Sequence, residues 1–319
     1  MARKSGDVRA IDTPSARLLD SSTAMWRRLL AACAAGAAVL AIGLPASVAA
    51  GADPVLVGAG DIATCDGPGD SQTAALLAAI PGVVFTAGDN AYPHCSLANY
   101  RDCYDPTWGA AFDRTRPAVG NHEYGTSGAA GYFDYFGARG GAKGKGYYAY
   151  NLGTWRVYVL NSNCSKVGGC GATSPQVRWL RSDLAAHPRR CILAYWHHPL
   201  FSSGFHGNST SVRPFWNALY AARADVVING HDHDYERFSR QLPGGSRSSH
   251  GIMVFVAGTG GGERRPFETI RANSVSRSST TFGVLKLTLH ATSYDWQFVP
   301  VAGGTFTDAG SGKACTHRA

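Results

Sequence analysis

Short apolar runs alternate with helical patterns from residue 54 onward, and this alternation restricts the fold more than any other feature of the sequence. Five runs predict buried strands, at residues 54–61, 82–89, 114–123, 191–198 and 224–233, and three patterns predict helices, at 71–80, 174–187 and 212–222. Ser174 is the expected N-cap of the second helix, with Pro175 at its first position. This order of strands and helices indicates an α/β core.

The C-terminal part of the chain is richer in strands. Residues 147–163 predict a hairpin, and three later runs, at 252–260, 282–290 and 293–301, have no helical pattern between them. These later strands are expected to build a second sheet on the first. Because the sequence shows no internal repeat and no long linker, residues 53–319 are expected to form one domain.

Side chains that can bind metal ions follow the buried strands. They are Asp61; Asp89 and Tyr92; Asn121, His122 and Glu123; His197 and His198; and His231, Asp232 and His233. In open α/β sheets the ligand site lies beyond the carboxyl ends of the strands, so these groups are expected to converge. Carboxylate, amide and phenol oxygens mixed with imidazoles suit Fe, Mn or Zn. So many donors fit two ions that share a bridging carboxylate better than one ion.

Each of these motifs has a simpler explanation when it is taken alone. A Gly-Asp pair after a strand is commonly a turn, and a histidine in residues 194–199 can be a partly buried side chain without a ligand role. Residues 230–233 alone can be a capped strand end. Turn chemistry does not account for all five motifs in this order, each after a strand, so the set favours a metal site.

The set resembles the calcineurin-like metallophosphoesterase superfamily, and its details resemble the purple acid phosphatase branch. The matching motifs are "GD" at 60–61, "GDNAY" at 88–92, "GNHE" at 120–123, "AYWH" at 194–197 and "GHDH" at 230–233. The resemblance implies an α/β fold with a two-sheet β-sandwich core flanked by helices. It also implies that residues 53–319 are a single catalytic domain.

The resemblance implies a ligand set when it is carried over position by position. Asp61, Asp89, Tyr92 and His233 would hold the first metal ion, Asn121, His197 and His231 would complete the second site, and Asp89 would bridge. Ala63 stands where many superfamily members have a histidine, and Tyr92 offers a phenolate instead. A phenolate favours Fe(III), so the expected pair is Fe(III) with a divalent Fe, Zn or Mn ion.

Two histidines are expected to bind the substrate phosphate, and either of them could protonate the leaving oxygen. His122 follows a ligand, and His206 lies at the offset from His197 where the family has a substrate-facing histidine, although an exposed loop histidine is the alternative. The family has a second histidine at the position of Gly207. His198, Asp232 and Glu123 are expected to support the ligands without binding metal, with Asp232 orienting a ring.

The expected function is that of an exported phosphomonoesterase which acts on a small phosphorylated substrate through a metal-bridging hydroxide. A phosphodiesterase or nucleotidase on the same fold is the first alternative, because loops 125–146 and 239–251 carry no readable substrate code. A non-catalytic metal-binding or phosphate-binding protein is the second. A nucleic-acid partner is not expected, because the positive charges are scattered without a basic run.

Residues 1–50 predict an N-terminal extension with a signal peptide. Arg27 and Arg28 precede an apolar run at 29–44 and then small residues, which favour cleavage after Ala50 or Ala52. The apolar run is shorter than the roughly 20 residues of a spanning helix, so no stable membrane span is expected. A retained anchor is the alternative. The arginine pair is compatible with twin-arginine export, and Met25 is an alternative start.

Seven of the eight cysteines follow residue 50. An exported chain with this many cysteines is expected to carry disulfides, and an odd number leaves one thiol. Cys164 and Cys170 flank a flexible loop and are expected to pair locally. Cys65–Cys103 is the preferred pair among the earlier cysteines.

Overall fold

The computed structural model describes residues 52–316, which contain two β-sheets. The strands are β1 Val55–Ala59, β2 Val83–Thr86, β3 Thr115–Pro117, β4 Tyr148–Leu152, β5 Trp155–Val159, β6 Ile192–Tyr195, β7 Val226–Asn229, β8 Tyr235–Gln241, β9 Ile252–Ala257, β10 Ser274–Ser278, β11 Gly283–Leu289, β12 Ser293–Pro300 and β13 Asp308–Ala314. The six-stranded sheet has the order β13-β12-β11-β1-β2-β3 and the seven-stranded sheet the order β10-β8-β9-β7-β6-β5-β4. Parallel pairing joins β1, β2 and β3 in one sheet and β5, β6, β7 and β9 in the other.

Helices connect these strands. The α-helices are α1 Gly69–Ala79, α2 Leu97–Asn99, α3 Ala130–Phe136, α4 Pro175–Ala186 and α5 Arg213–Ala221, and α2 runs directly into a π-helix at Tyr100–Tyr104. Short 3-10 helices lie at Trp108–Arg114, His122–Gly125, Ser127–Ala129, Gly137–Gly140, Cys164–Lys166 and Thr210–Val212. The Ser174 hydroxyl accepts a hydrogen bond from the Val177 amide at the start of α4, as expected of an N-cap.

The two sheets pack face to face around the main hydrophobic core. This core contains Leu56 and Phe85 of the first sheet and Leu193 and Ile228 of the second, all fully buried. Helices α4 and α5 cover the outer face of the second sheet, and α1 and α3 cover the outer face of the first. Each fully buried aliphatic side chain contributes about 1.5–3 kcal/mol to folding. The predicted two-sheet core flanked by helices is therefore confirmed.

The sequence patterns missed several elements. Strand β13 contains glycine and serine, and β10 alternates serine with Val and Arg. Both strands lie at sheet edges, where few side chains are buried, so their sequences show little of the apolar pattern that predicts a strand. Strand β8 begins two residues after His233, so its start is hidden behind the polar motif at the end of β7. The predicted strand at 114–123 is shorter than expected, because β3 ends at Pro117 and Asn121 lies in the following loop.

Three disulfides connect cysteines of the described part of the chain. Cys65–Cys103 and Cys164–Cys170 are the expected pairs, and Cys191–Cys315 ties the start of β6 to the end of β13. Cys95 is a buried free thiol. No helix within residues 52–316 combines the length and the apolar character of a membrane-crossing helix. The predicted signal peptide lies outside the described residues.

Asp308 joins the two sheets at one end of the sandwich. From the start of β13 it accepts hydrogen bonds from Tyr235 at 2.7 Å and from Arg237 at 2.6 and 2.9 Å, both on β8, and from Trp296 at 3.2 Å. Burial opposes ionisation of Asp308, but the bonds from Arg237 and Tyr235 hold the pKa of its carboxyl below the usual value.

We expect Asp308→Asn to lower the free energy of unfolding by about 1–3 kcal/mol at pH 7, because a charge-assisted contact is lost. A depressed folded-state pKa contributes stability above the unfolded pKa, about 3.9 for Asp, and this contribution disappears as the pH falls through the folded value. The difference in the free energy of unfolding between Asp308→Asn and the wild type should therefore shrink below about pH 4. Urea unfolding at pH 7 and pH 3 measures it, and a gap that widens in acid would contradict this role.

Candidate metal centre

The candidate site lies where the carboxyl ends of parallel strands from both sheets meet. The Gly60 amide, after β1, donates to the Ala257 carbonyl at the end of β9 at 2.8 Å, so the two sheets are joined at this edge. The Asp61 amide donates to the Gly88 carbonyl at 3.0 Å, and the Gly230 amide donates to the His197 carbonyl at 3.1 Å. The pairing of neighbouring strands thus continues past their ends and fixes the loops that carry the polar side chains.

Unusual backbone conformations turn these side chains into the site. Asp61, Asp89 and His231 have φ values of 58°, 52° and 73°, a region that non-glycine residues seldom occupy. Such conformations cost of order 1–3 kcal/mol each and cluster at functional sites. Gly230 has a different reason to be glycine, because a Cβ atom there would lie 2.6 Å from Asp61 Oδ2.

One group of donors consists of Asp61, Tyr92 and His233. The Tyr92 hydroxyl lies 3.1 Å from Asp61 Oδ1 and 3.1 Å from His233 Nε2. His233 Nε2 is 3.4 Å from the same Asp61 oxygen. The other ring nitrogen of His233 hydrogen-bonds to the Glu263 carbonyl, which directs Nε2 towards the two oxygens.

A second group consists of Asn121, His197 and His231. His197 Nε2 lies 2.9 Å from Asn121 Oδ1 and 3.2 Å from His231 Nδ1. His197 Nδ1 lies 2.8 Å from the Ala87 carbonyl, which orients the fully buried ring. The Asn121 oxygen and the His231 nitrogen therefore both lie beside His197 Nε2.

Asp89 lies between the two groups. Its Oδ2 atom is 3.4 Å from the Tyr92 hydroxyl on one side and 3.2 Å from His197 Nε2 on the other. Its Oδ1 atom accepts the His122 amide at 2.8 Å, which orients the carboxylate. A single oxygen that faces both groups has the geometry of a bridging ligand.

The electrostatics of the site favour bound cations. Burial, together with Asp61 and Asp89, raises the pKa of the Tyr92 hydroxyl well above its usual value. Burial opposes protonation of His197, but Asp89 raises its pKa to about 10, and His197 in turn lowers the pKa of Asp89 against the effect of burial. Burial and the neighbouring His197 lower the pKa of His231. Cations would displace these protons, because metal ligands bind in their deprotonated forms.

Glu123 is the main support of Asp89 and its loop. The fully buried carboxylate accepts hydrogen bonds from the Asp89 amide at 3.1 Å, the Asn90 amide at 2.8 Å, the Gly120 amide at 2.5 Å and the Tyr100 hydroxyl at 2.9 Å. It therefore connects the loop after β2 to the loop that carries Asn121.

His198 and Asp232 also lie beside the candidate ligands. His198 Nδ1 is 2.8 Å from the Ser162 hydroxyl, and burial with the neighbouring His197 lowers the pKa of His198 to about 3. The sequence suggested that Asp232 orients an imidazole ring. Instead, its carboxylate accepts hydrogen bonds from the His206 amide at 2.6 Å and from the Ser202 hydroxyl. Asp232 thus holds the loop that carries His206, because a backbone amide offers it a fixed donor.

The two expected phosphate-binding histidines border the open side of the site. His122 packs edge-on against Tyr92 at a centroid distance of 4.6 Å, and its Nδ1 lies 2.6 Å from the Pro93 carbonyl. The His206 ring stacks on His231 at 4.2 Å. Both histidines line a pocket of about 240 Å³. Five of the seven candidate ligands line the same pocket, namely Asp89, Tyr92, Asn121, His231 and His233.

The sequence did not identify other residues that line this pocket, namely Thr64, Gly262, Glu263 and Arg265. Gly262 is the last residue of the glycine-rich segment 258–262, and Glu263 and Arg265 come after that segment. That segment is buried, and its Gly262 amide donates to the Asp61 carbonyl at 2.8 Å. Residues 263–265 carry no motif, so only their position in space reveals them.

Comparisons with known proteins relate this chain to one family of phosphoesterases. The family model for calcineurin-like phosphoesterases matches residues 51–235. Among curated relatives, Purple acid phosphatase 15 of Arabidopsis thaliana is 24% identical over 58% of this chain and 41% of its own length. Probable purple acid phosphatase 20 of the same plant is 33% identical over 30% of this chain and 23% of its length. This chain therefore spans less than half the length of these relatives.

Solved structures share the fold. A purple acid phosphatase isolated from yellow lupin (Lupinus luteus) seeds has a TM-score of 0.68 and 17% identity, covering 80% of this chain and 53% of the lupin chain. GAP50, described as the anchor in the inner membrane complex of Plasmodium, has a TM-score of 0.64 and 14% identity, covering 84% of this chain and 90% of its own.

Proposed function

Since this chain belongs to the calcineurin-like phosphoesterase family, we propose that it is an exported phosphomonoesterase whose candidate site holds two metal ions. The observation that carries this proposal is the position of Asp89 Oδ2, 3.4 Å from Tyr92 and 3.2 Å from His197. A carboxylate oxygen between two groups of donors is what a pair of ions requires. The purple acid phosphatase relatives support this branch of the family.

The chemistry of the two donor groups fits two different ions. The first group offers the hard oxygens of Asp61, Asp89 and Tyr92 with the single imidazole of His233, which suits Fe(III). The second offers His197, His231 and Asn121 with the shared carboxylate, which suits a divalent Fe, Zn or Mn ion. An ionised Tyr92 beside two carboxylates needs a strongly charged cation, because its pKa is otherwise raised.

The two ions, when bound, would activate a water molecule and neutralise charge on the phosphoryl group. His122 would act from the open side of the pocket. Because a carbonyl only accepts, His122 Nδ1 carries the hydrogen that bonds Pro93, so Nε2 is the atom free to exchange a proton with the leaving oxygen. His206 would bind a phosphate oxygen from the opposite wall, held there through its amide by Asp232.

The rival functions share this fold. One structural neighbour is described as an anchor in a membrane complex, so the fold alone does not establish catalysis. Five of the seven candidate ligands line one small pocket together with His122 and His206, and this favours an enzyme over a non-catalytic protein. Export is supported by the disulfides of the described residues, because such bonds persist in oxidising compartments.

We expect the purified mature chain to contain about two transition-metal ions per molecule and to hydrolyse p-nitrophenyl phosphate. If iron occupies the first site, Tyr92→Phe should abolish a visible Fe(III)–phenolate absorption band while leaving the far-UV circular dichroism unchanged. Metal analysis, the visible spectrum and steady-state kinetics measure these outcomes. A colourless protein that contains only zinc or manganese would refute the iron assignment, and full activity in Asn121→Ala would refute the two-ion mechanism.

A further inference from the structure

Arg265 brings a positive charge to the wall of the candidate site, and none of the family motifs includes it. Its guanidinium lies 2.9 Å from His206 Nε2, and its backbone amide donates to the His233 carbonyl at 3.3 Å. It is the sole Lys or Arg side chain among the residues that line the 240 Å³ pocket. The loop after β9 therefore places a permanent positive charge in the pocket that His122 and His206 also line.

The contacts of this guanidinium leave its charge available. Within residues 52–316, no carboxylate oxygen lies within 4.0 Å of it. It lies 5.1 Å from the ring centroid of Phe205, a side chain that is 53% exposed. A partly buried arginine without an acidic partner is typical of a site that receives an anion.

The bond to His206 is one that an anion can replace. A guanidinium only donates hydrogen bonds, so His206 Nε2 must be the acceptor in this contact. Phosphate oxygens accept from a guanidinium more strongly than a neutral imidazole does. A phosphate that enters the pocket can therefore take over the guanidinium donors from His206 Nε2.

We propose that Arg265 grips two phosphate oxygens of the substrate and thereby selects phosphomonoesters over phosphodiesters. This inference rests on the proposed function, in that it assigns the substrate class of the same site. A monoester has three non-ester oxygens, so one can face the metal side while two accept the parallel donors of the guanidinium. A diester has two, so when one faces the metal side only one remains for Arg265. The doubly charged monoester also gains more from a fixed cation.

The test compares Arg265→Ala and Arg265→Lys with the wild-type chain, each purified with its metals. Arg181→Ala is the matched control, because Arg181 is exposed on α4 and lies outside the pocket. Steady-state kinetics with p-nitrophenyl phosphate and bis(p-nitrophenyl) phosphate give the ratio of kcat/KM for the two esters. Calorimetric titration with methyl phosphate and dimethyl phosphate measures binding independently of turnover.

We expect Arg265→Ala to lower kcat/KM for the monoester about 10- to 100-fold and that for the diester less than about threefold. The Kd of methyl phosphate should rise at least about tenfold, while that of dimethyl phosphate changes little. Arg265→Lys should restore only part of the loss, because it keeps the charge but not the paired donors. Arg181→Ala should match the wild type.

The two proposals fail in different ways. If the wild-type chain hydrolyses neither ester but Arg265→Ala weakens methyl phosphate binding selectively, the phosphatase function is wrong and the role of Arg265 stands. If the wild type is active and Arg265→Ala leaves both the ester ratio and the methyl phosphate Kd unchanged, the role of Arg265 is wrong. Equal losses for monoester and diester would likewise overturn the selection of monoesters.

Discussion

Asp89→Asn is expected to lower kcat/KM for a phosphomonoester at least about 1,000-fold, because the oxygen that we propose to bridge two ions would contribute several kcal/mol through them. The substitution keeps the shape of the side chain and leaves an amide oxygen to accept the His122 amide. It replaces Oδ2, the atom between Tyr92 and His197, with a nitrogen that cannot ligate. Metal content should fall from about two ions per chain to at most one.

Asp66→Asn is the control for this substitution, since Asp66 is an exposed residue in the loop after β1. It should keep both the activity and the metal content of the wild type. Elemental analysis of the purified proteins and steady-state kinetics decide the result. An Asp89→Asn protein that retains two ions and full kcat/KM would show that Asp89 does not bridge.

Glu123→Ala is expected to lower the free energy of unfolding by about 3–5 kcal/mol. The fully buried carboxylate accepts the amides of Asp89, Asn90 and Gly120 and the Tyr100 hydroxyl, and alanine would leave these donors without a partner. Metal affinity should also fall about 10- to 100-fold, because Asp89 would lose the bond that holds its backbone.

Glu123→Gln separates the two sides of this network. An amide oxygen placed at Oε1 keeps the bonds from Asn90 and Tyr100, whereas Asp89 and Gly120 lose their acceptor at Oε2. We expect an intermediate loss of about 1–3 kcal/mol. Urea unfolding with an unchanged m-value measures both losses, and Glu268→Ala, at an exposed position, serves as the control. A loss below about 1 kcal/mol in Glu123→Ala would contradict this role.

The buried strands along the chain and the candidate ligands that follow them were predictable, because both leave local patterns in the sequence. Buried strands such as β1, β2, β6 and β7 are continuous apolar runs, and each is followed by a polar motif. Parallel strands bring their carboxyl ends to one edge, so Asp61, Asp89 and His197 were expected to meet. Edge strands lack such a pattern, and for that reason β10 and β13 were missed.

The sequence by itself determined the family, and with it the two-sheet fold, through the five motifs that carry the resemblance. It also located the buried strands and the candidate metal ligands, because apolar runs and side-chain chemistry are local properties. The tertiary structure alone decided that one Asp89 oxygen faces both donor groups, that Asp232 holds the His206 backbone, and that Arg265 reaches His206 from a distant loop. These distances depend on how the two sheets pack and on where loops without motifs are anchored. No periodicity within the chain encodes them.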